Sequence, residues 1–251
     1  MAGHSKWANI KHRKAAQDAK RGKVFTKLIR ELVVAAKSGT PNPEDNPRLR
    51  SAIEKALNAN MKRDTIDKAI ARGSGPGEGD NFEEIVYEGY APGGIAVLVE
   101  CTTDNRNRTV SEVRHGFTKR GGNLGTDGSV AYLFKRLGLC YFASSCDEDD
   151  LLEASLELSI EDFYRNQDET YTVVTEWEKL TTIKESLVSQ GFQLLDFEIV
   201  RKAEIEIDIE KKHLENLLSL MEILDDLDDV QNVFTNANIS EDMLEELDSN
   251  I

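Results

Sequence analysis

Apolar residues recur every three or four positions over three successive stretches near the start of the chain, which predicts three amphipathic helices. The first helix is expected to end just before Gly39. In the following loop, GTPNPEDNP, Asn46 has the side chain of an N-cap and Pro47 suits the first turn of the second helix. The third helix is expected to stop at Gly73, before the Gly-rich linker GSGPGEGD. Residues 1–75 are therefore predicted to be a helical domain.

From Phe82 the pattern changes to alternating apolar and polar positions, which is typical of strands. The runs FEEIVYEGY and IAVLVEC are predicted strands joined by the turn APGG. A helix is predicted from Thr109, with Glu112 completing a capping box, and it ends at Gly121. The run SVAYLFK predicts the next strand.

Residues 138–203 carry a further alternation of elements. Strands are predicted at GLCYFAS, YTVVT and QLLDFEIV, with an acid-capped helix from about Asp147 and a second helix around Trp177. Beyond this segment, alternation at Ile205, Ile207 and Ile209 predicts a strand, followed by a helix and the strand VQNVFTN.

Without residues 138–203, the elements from position 95 onwards follow the order βαββαβ of a ferredoxin-like domain. We therefore predict an α+β chain in which a ferredoxin-like domain is interrupted by an inserted α+β domain. The predicted parts are a basic helical domain at 1–75, the ferredoxin-like domain at 76–137 plus 204–238, the inserted domain at 138–203 and an acidic tail at 239–251.

The charge of the chain is strongly asymmetric, although its net value is −15. Residues 1–80 hold 17 Lys+Arg against 9 Asp+Glu, whereas residues 81–251 hold 14 against 37. The first 30 residues contain 9 basic residues and one acid, Asp18. Because salt screens charges beyond about 8 Å, this basic end can bind a polyanion despite the acidic remainder.

The basic arm GHSKWANIKHRKAAQDAKRGK mixes cations that neutralise phosphates with groups that stack or hydrogen-bond on bases. We predict that it binds nucleic acid, the alternative being a solvated basic helix face. The predicted contact residues of the arm are Lys6, Trp7, Asn9, Lys11, His12, Arg13, Lys14, Lys20, Arg21 and Lys23.

A second polar segment, TDNRNRTV, places Arg106 and Arg108 directly before a predicted helix, whose exposed N–H groups favour anions. These arginines are candidates for contact with phosphate or a partner. The alternative is a loop in which Asp104 and the arginines pair internally. The Gly-rich segment from Gly121 to Gly128 is interpreted as a strained turn, with an active-site loop as the alternative.

The sequence offers no recognisable catalytic, metal or cofactor motif, so we predict a non-enzymatic protein without a cofactor. The four histidines are scattered, and the three cysteines show no C-x-x-C spacing. Acid clusters occur at 147–150 and 225–229, and we interpret them as a helix N-terminal cap and the solvated exit of a helix. The start of the chain lacks a signal peptide and no run is apolar enough to span a membrane, which favours a cytoplasmic protein without a membrane partner.

Long strings of the chain resemble the YebC/PmpR family, whose eukaryotic relatives include the mitochondrial translational activator of cytochrome oxidase. The similar motifs are MAGHSKWANIKHRKAAQDAKRGK, FTKLIREL, NPRLRSAIEKA, DTIDKAIARG, IVYEGYAPGG, TDNRNRTVSEVRH, GGNLGTDGSVAYLF and DLDDVQNVFTNA. The resemblance implies three domains, one helical and two α+β, and a cytoplasmic, DNA-binding transcriptional regulator. It also implies an alternative role in translation, because organellar relatives act there and some bacterial members are linked to stalled ribosomes.

We therefore expect a regulator of gene expression whose partner is duplex DNA. In the alternative, a translation factor binds ribosomal RNA through the same arm, with ribosomal proteins as further partners. An enzyme using Asp104 and Asp127, or an adaptor working through the acidic body, are the remaining hypotheses.

Overall fold

The computed structural model describes residues 17–75, residues 82–240 and Met243. The chain forms two compact units. The larger unit joins the described residues up to Leu133 with those from Ile205 onwards, and the smaller unit is Phe134–Glu204. Each unit combines helices with a mainly antiparallel sheet, so the predicted α+β class is confirmed.

The helices of the described residues are α1 Gln17–Ser38, α2 Pro47–Asn58, α3 Arg63–Ser74, α4 Arg106–Lys119, α5 Glu148–Glu157, α6 Leu180–Ser189 and α7 Lys211–Asp225. The strands are β1 Glu83–Ala91, β2 Ile95–Thr103, β3 Asn123–Leu124, β4 Phe134–Phe142, β5 Asp162–Arg165, β6 Tyr171–Glu176, β7 Leu194–Ala203, β8 Ile207–Asp208, β9 Val230–Thr235 and β10 Ala237–Asn238.

Helices α1, α2 and α3 enclose a core of their own. The predicted cap of α2 is confirmed: Asn46 Oδ1 accepts a hydrogen bond from the Leu49 N–H at 3.0 Å, and Pro47 occupies the first turn. Asn46 Nδ2 also donates to the Ala35 carbonyl at 2.8 Å, which ties the cap to α1. The buried residues of this core include Leu32, Val33, Leu49, Ile53, Ile66 and Ala69.

Helix α3 ends at Ser74, one residue beyond the predicted end at Gly73. A Cβ at Gly73 would clash with the Val33 carbonyl oxygen in α1. The glycine therefore permits the close approach of α1 and α3 near the end of α3.

The larger unit also contains a four-stranded sheet with the order β3-β1-β2-β9, in which all neighbouring strands are antiparallel. Helices α4 and α7 pack together, since a Cβ at Gly116 would lie 3.1 Å from Leu224 Cδ2. Their apolar faces and the sheet share one core. It includes Val97, Val99, Val113, Phe117, Leu214, Leu217, Met221 and Val233.

The predicted βαββαβ order is corrected at two strands. Residues 129–133 do not join this sheet, because the Glu88 carboxylate accepts hydrogen bonds from the N–H groups of Gly128, Val130 and Ala131. These bonds hold a turn that leads into β4, a strand of the smaller unit. The strand predicted near 205 is limited to β8, which pairs in parallel with β10 outside the main sheet.

The smaller unit contains an antiparallel sheet with the order β5-β6-β4-β7 and the two helices α5 and α6. Asp147 caps α5 as predicted, accepting hydrogen bonds from the N–H groups of Asp149 and Asp150, each at 3.1 Å. The sequence pattern missed β5, a four-residue edge strand with charged residues at both ends. The core of this unit includes Cys140, Phe142, Leu151, Val173, Ile183, Leu187 and Phe197.

Candidate nucleic-acid interface

Most of the predicted basic arm lies outside the described residues. This applies to Lys6, Trp7, Asn9, Lys11, His12, Arg13 and Lys14. Lys20 and Arg21 fall within α1, but their side chains are not described. Lys23 is the first arm residue whose side chain the structure places. The role of the arm in binding nucleic acid therefore stays a prediction.

One face of α1 carries a row of three cations, Lys23, Lys27 and Arg30, at spacings of four and three residues, which places them on the same side of the helix. Each pairs with an acid from the C-terminal end of α7 or the turn after it. Lys23 Nζ lies 2.8 Å from Asp226 and Lys27 Nζ lies 2.9 Å from Asp225. This row therefore attaches α1 to the end of α7.

The third cation of the row, Arg30, pairs with Asp229, whose side chain is 1% exposed. Its carboxylate accepts hydrogen bonds from Arg30 Nη1 at 2.6 Å, Arg108 Nη2 at 2.7 Å, Thr109 Oγ1 at 2.7 Å and Thr103 Oγ1 at 3.1 Å. Burial by itself would raise the pKa of Asp229, but these hydrogen bonds and the charge of Arg30 outweigh it and hold the pKa below its usual range. Asp229 is therefore a buried, ionised anchor.

Arg30 makes further contacts that fix its guanidinium. Nη1 also donates to the carbonyl oxygens of Thr102, at 3.2 Å, and Asp228, and the guanidinium lies 5.5 Å from the Phe82 ring centroid. An arginine held by this many partners positions the helix and is poorly placed to bind phosphate.

The sequence interpretation of the second acid cluster as a solvated helix exit is wrong for Asp229, which is buried. The sequence shows the row of cations on α1 that matches these acids. However, the two segments are far apart along the chain, and no pattern within either segment predicts that they meet. Asp225 and Asp226 are paired with lysines as well. Asp226 and Asp228 are the exposed members of the cluster.

Arg106 and Arg108 lie in the first turn of α4, which begins earlier than predicted. Asn105 caps the helix by accepting a hydrogen bond from the Arg108 N–H at 3.1 Å, so the predicted capping box at Thr109 is wrong. Arg106 Nε lies 3.4 Å from Glu83. Arg108 pairs with Asp104 at 2.8 Å as well as with Asp229, and these contacts raise its pKa, Asp229 contributing most.

The internal pairing of Asp104 with an arginine, one of the two alternatives for this segment, is thus observed for Arg108. The Arg108 side chain is 41% exposed. Arg106 is 66% exposed and its contact with Glu83 is longer, so it retains more freedom to bind an anion. A nucleic-acid contact by either arginine stays a prediction.

The Gly-rich loop after α4 is organised by Glu88, a residue that is 6% exposed. Gly121 and Gly128 adopt positive φ, of 75° and 81°, which suits a turn that glycine alone tolerates well. Asp127 and Arg106 line the same surface cavity, of about 570 Å³. Asp104, the other residue of the enzyme hypothesis, is instead paired with Arg108.

Candidate metal ligands and reactive thiols are also scattered. Within residues 17–75 and 82–240, no group of three His, Cys, Asp or Glu side chains is placed to hold a metal ion. Burial raises the pKa of the Cys101 and Cys140 thiols to about 12, so both are poor nucleophiles.

Within the described residues, no helix has the length and apolar character needed to cross a membrane.

Comparison with known proteins places the chain in a family. Residues 5–76 match the family model described as the TACO1/YebC protein N-terminal domain, and residues 82–237 match the TACO1/YebC second and third domain. The chain belongs to the TACO1/YebC family. The resemblance noted from its motifs is therefore confirmed.

Relatives of this TACO1/YebC protein cover its full length. Probable transcriptional regulatory proteins of Methylococcus capsulatus and Pseudomonas putida are each 56% identical over 247 residues, covering 98% of this chain and all of the relative. The crystal structure of a conserved hypothetical protein from Aquifex aeolicus superposes with a TM-score of 0.82 at 48% identity, covering 89% of this chain and 93% of that one.

Proposed function

We propose that this TACO1/YebC protein is a non-enzymatic regulator of gene expression that binds duplex DNA through its basic N-terminal helical domain. The observation that carries the proposal is the charge of the first 30 residues, where 9 basic residues stand against one acid in a chain of net charge −15. The names of the relatives, probable transcriptional regulatory proteins, support the same role.

The ion pairs of α1 suggest that its paired basic residues and the earlier basic residues of the arm have different roles. Lys23, Lys27 and Arg30 are neutralised by carboxylates, so we infer that they orient α1. The earlier cations would then supply the phosphate contacts. The exposed Lys23–Asp226 pair contributes little stability and can open when a phosphate competes for the lysine.

The proposal is tested by measuring affinity for a promoter duplex and a random duplex between 50 and 200 mM salt by fluorescence anisotropy. Lys6, Lys11, Arg13 and Lys14 are changed to Gln in one variant. We expect a loss of affinity and a log–log salt slope reduced by about 0.9 for each phosphate contact removed. Equal affinity of the parent and this variant would contradict the proposal.

The control variant also carries four Gln substitutions, at cations that are each paired with a nearby carboxylate. These are Arg63, Lys68, Arg165 and Lys179. It has the same net charge as the arm variant, so a loss confined to the arm variant reports contacts rather than total charge.

The second candidate is a translation factor that binds ribosomal RNA with the same arm, with ribosomal proteins as further partners. Trp7 and His12 favour it, because RNA-binding proteins often stack aromatic side chains on unpaired bases. Sedimentation of lysate after DNase treatment separates the two candidates. Co-migration of the parent with ribosomes that is lost in the arm variant supports the translation factor. Recovery of the parent only in the light fractions, away from ribosomes, contradicts it.

A further inference from the structure

Helix α4 is the most basic segment of the described residues outside α1. From Arg106 to Arg120 it carries five basic residues and one acid, Glu112, whereas the chain as a whole is acidic. Apolar and small residues of α4 face the core, among them Val113, Gly116 and Phe117. The cations are therefore concentrated on the remaining surface of this helix.

The cations of α4 fall into two groups. Arg106 and Arg108, in the first turn, are paired with carboxylates. In contrast, no carboxylate among the described residues lies within ion-pair distance of Arg114, Lys119 or Arg120. Arg114, His115 and Lys119 are exposed, so the C-terminal half of α4 directs uncompensated positive charge into solvent.

The first turn of α7 adds further cations at the same end of the sheet. The turn between β1 and β2 lies close to the segment just after α4 and to the start of α7, since a Cβ at Gly121 would lie 3.6 Å from Pro92 and one at Gly93 would lie 3.0 Å from His213. Lys211 and Lys212 precede His213 and are exposed, and Lys212 lies 2.7 Å from Glu210.

Lys211 and Lys212 lie in the first turn of α7, a position that is unfavourable for cations. The N-terminal end of a helix carries partial positive charge, so cations there reduce its stability. Helix α7 has no acid in its first turn. Its sequence is therefore poorly suited to helix stability at this end, but it enlarges the basic surface formed with α4.

We propose that this surface, defined by Arg114, His115, Lys119 and Arg120 of α4 with Lys211 and Lys212 of α7, binds the phosphate backbone of duplex DNA. It is a second contact area, separate from the arm, and it rests on the proposed function. The α4 helix of 14 residues is about 21 Å long, and one strand of DNA presents a phosphate about every 3.4 Å along its axis. The surface can therefore meet several phosphates.

The side chains of this surface favour DNA backbone over an acidic protein partner. Between the cations lie Ser111 and Thr118, whose hydroxyls donate to the carbonyls of Asn107 and Arg114 within the helix. The exposed positions of α4 carry no Phe, Tyr or Trp that would anchor a protein interface. Contacts of this kind bind phosphate irrespective of sequence.

The test compares the Arg114→Gln/Lys119→Gln double variant with an Arg165→Gln/Lys179→Gln control of equal charge. Affinity for a 30-base-pair random duplex is measured over 50–200 mM salt. If both side chains contact phosphate, the log–log salt slope should fall by about 1.8, with Kd raised about tenfold or more at 100 mM salt. The control should match the parent.

The charge-preserving variant Arg114→Lys/Lys119→Arg should restore most of the affinity, since the substituted positions are exposed. Loss of equal size on the promoter duplex and the random duplex supports a backbone contact. The inference is overturned if the double variant shows the same log–log salt slope as the parent. It is also overturned if the double variant loses affinity for duplex RNA or for an acidic protein but not for DNA.

The arm variant separates this inference from the proposed function. If arm neutralisation abolishes DNA binding while the α4 variant binds as the parent does, only the second surface is wrong. If the parent itself does not bind duplex DNA at physiological salt, both are wrong. If both variants bind more weakly, both are supported.

Discussion

Asp229 shows at the scale of one residue how an acidic chain and a basic helix are joined. A buried carboxylate is costly unless hydrogen bonds and opposite charges compensate it. Here two arginines and two threonine hydroxyls do so. Arg30 and Arg108 come from α1 and α4, so one carboxylate links the helical core to the sheet.

We expect Asp229→Asn to lower the free energy of unfolding by about 3 kcal/mol, because it leaves the Arg30 guanidinium without its anion and removes one of the two carboxylates paired with Arg108. Urea unfolding followed by circular dichroism measures this change. Asp228→Asn is the control and should change the free energy by less than about 0.5 kcal/mol, since that side chain is exposed. Equal effects of the two substitutions would show that Asp229 is not an anchor.

The stabilisation from Asp229 should also depend on pH in a defined direction. Because the folded pKa lies below the unfolded value, the stabilisation is complete above the unfolded pKa of about 3.9 and is lost as pH falls through the folded pKa. The difference in unfolding free energy between the parent and Asp229→Asn should therefore be constant from about pH 7 to 5 and shrink in stronger acid. A difference that grows on acidification would contradict this assignment.

At the scale of elements, local signals placed most helices and strands correctly. The caps at Asn46 and Asp147 were predictable because a cap depends on residues within one turn. The start of α4 was not, because Asn105 competes with Thr109 as a cap, and the Thr109 hydroxyl bonds to Asp229 instead.

Gly73 allows a test of whether tertiary packing reverses the effect of a Gly→Ala substitution on stability. Ala in place of an exposed helical Gly stabilises by about 0.5–1 kcal/mol, and we expect this for Gly22→Ala, where a Cβ meets nothing within 4 Å. Gly73→Ala should instead destabilise by about 2 kcal/mol, because its Cβ would clash with the Val33 carbonyl. Thermal and urea unfolding of both variants measure the two signs, and stabilisation by both would refute the close approach of α1 and α3.

At the scale of the whole molecule, the smaller unit begins and ends on neighbouring strands of its own sheet. Phe134 pairs with Ala203 across β4 and β7, so the two ends of the smaller unit lie on adjacent strands. We propose that this unit is an inserted domain. Its own core and paired ends are the features expected of an insertion.

The isolated segment 134–204 should therefore fold and unfold cooperatively in urea. Trp177 is its single tryptophan, and the Arg136 guanidinium lies 4.2 Å from the Trp177 ring centroid, so fluorescence reports the packing of β4. A segment 143–204, which lacks β4, is the control and should remain unfolded, because β4 lies between β6 and β7. Gradual unfolding of 134–204 would contradict its status as a domain.

The sequence by itself determined the α+β class, most element positions and the basic start of an acidic chain. Each of these follows from residues a few positions apart or from composition alone. Only the tertiary structure decided which charges are neutralised, since Arg30 and Asp229 meet across 199 positions. It also decided that Arg114 and Lys119 keep their charge facing solvent, because ion pairing depends on which distant segments the core brings together.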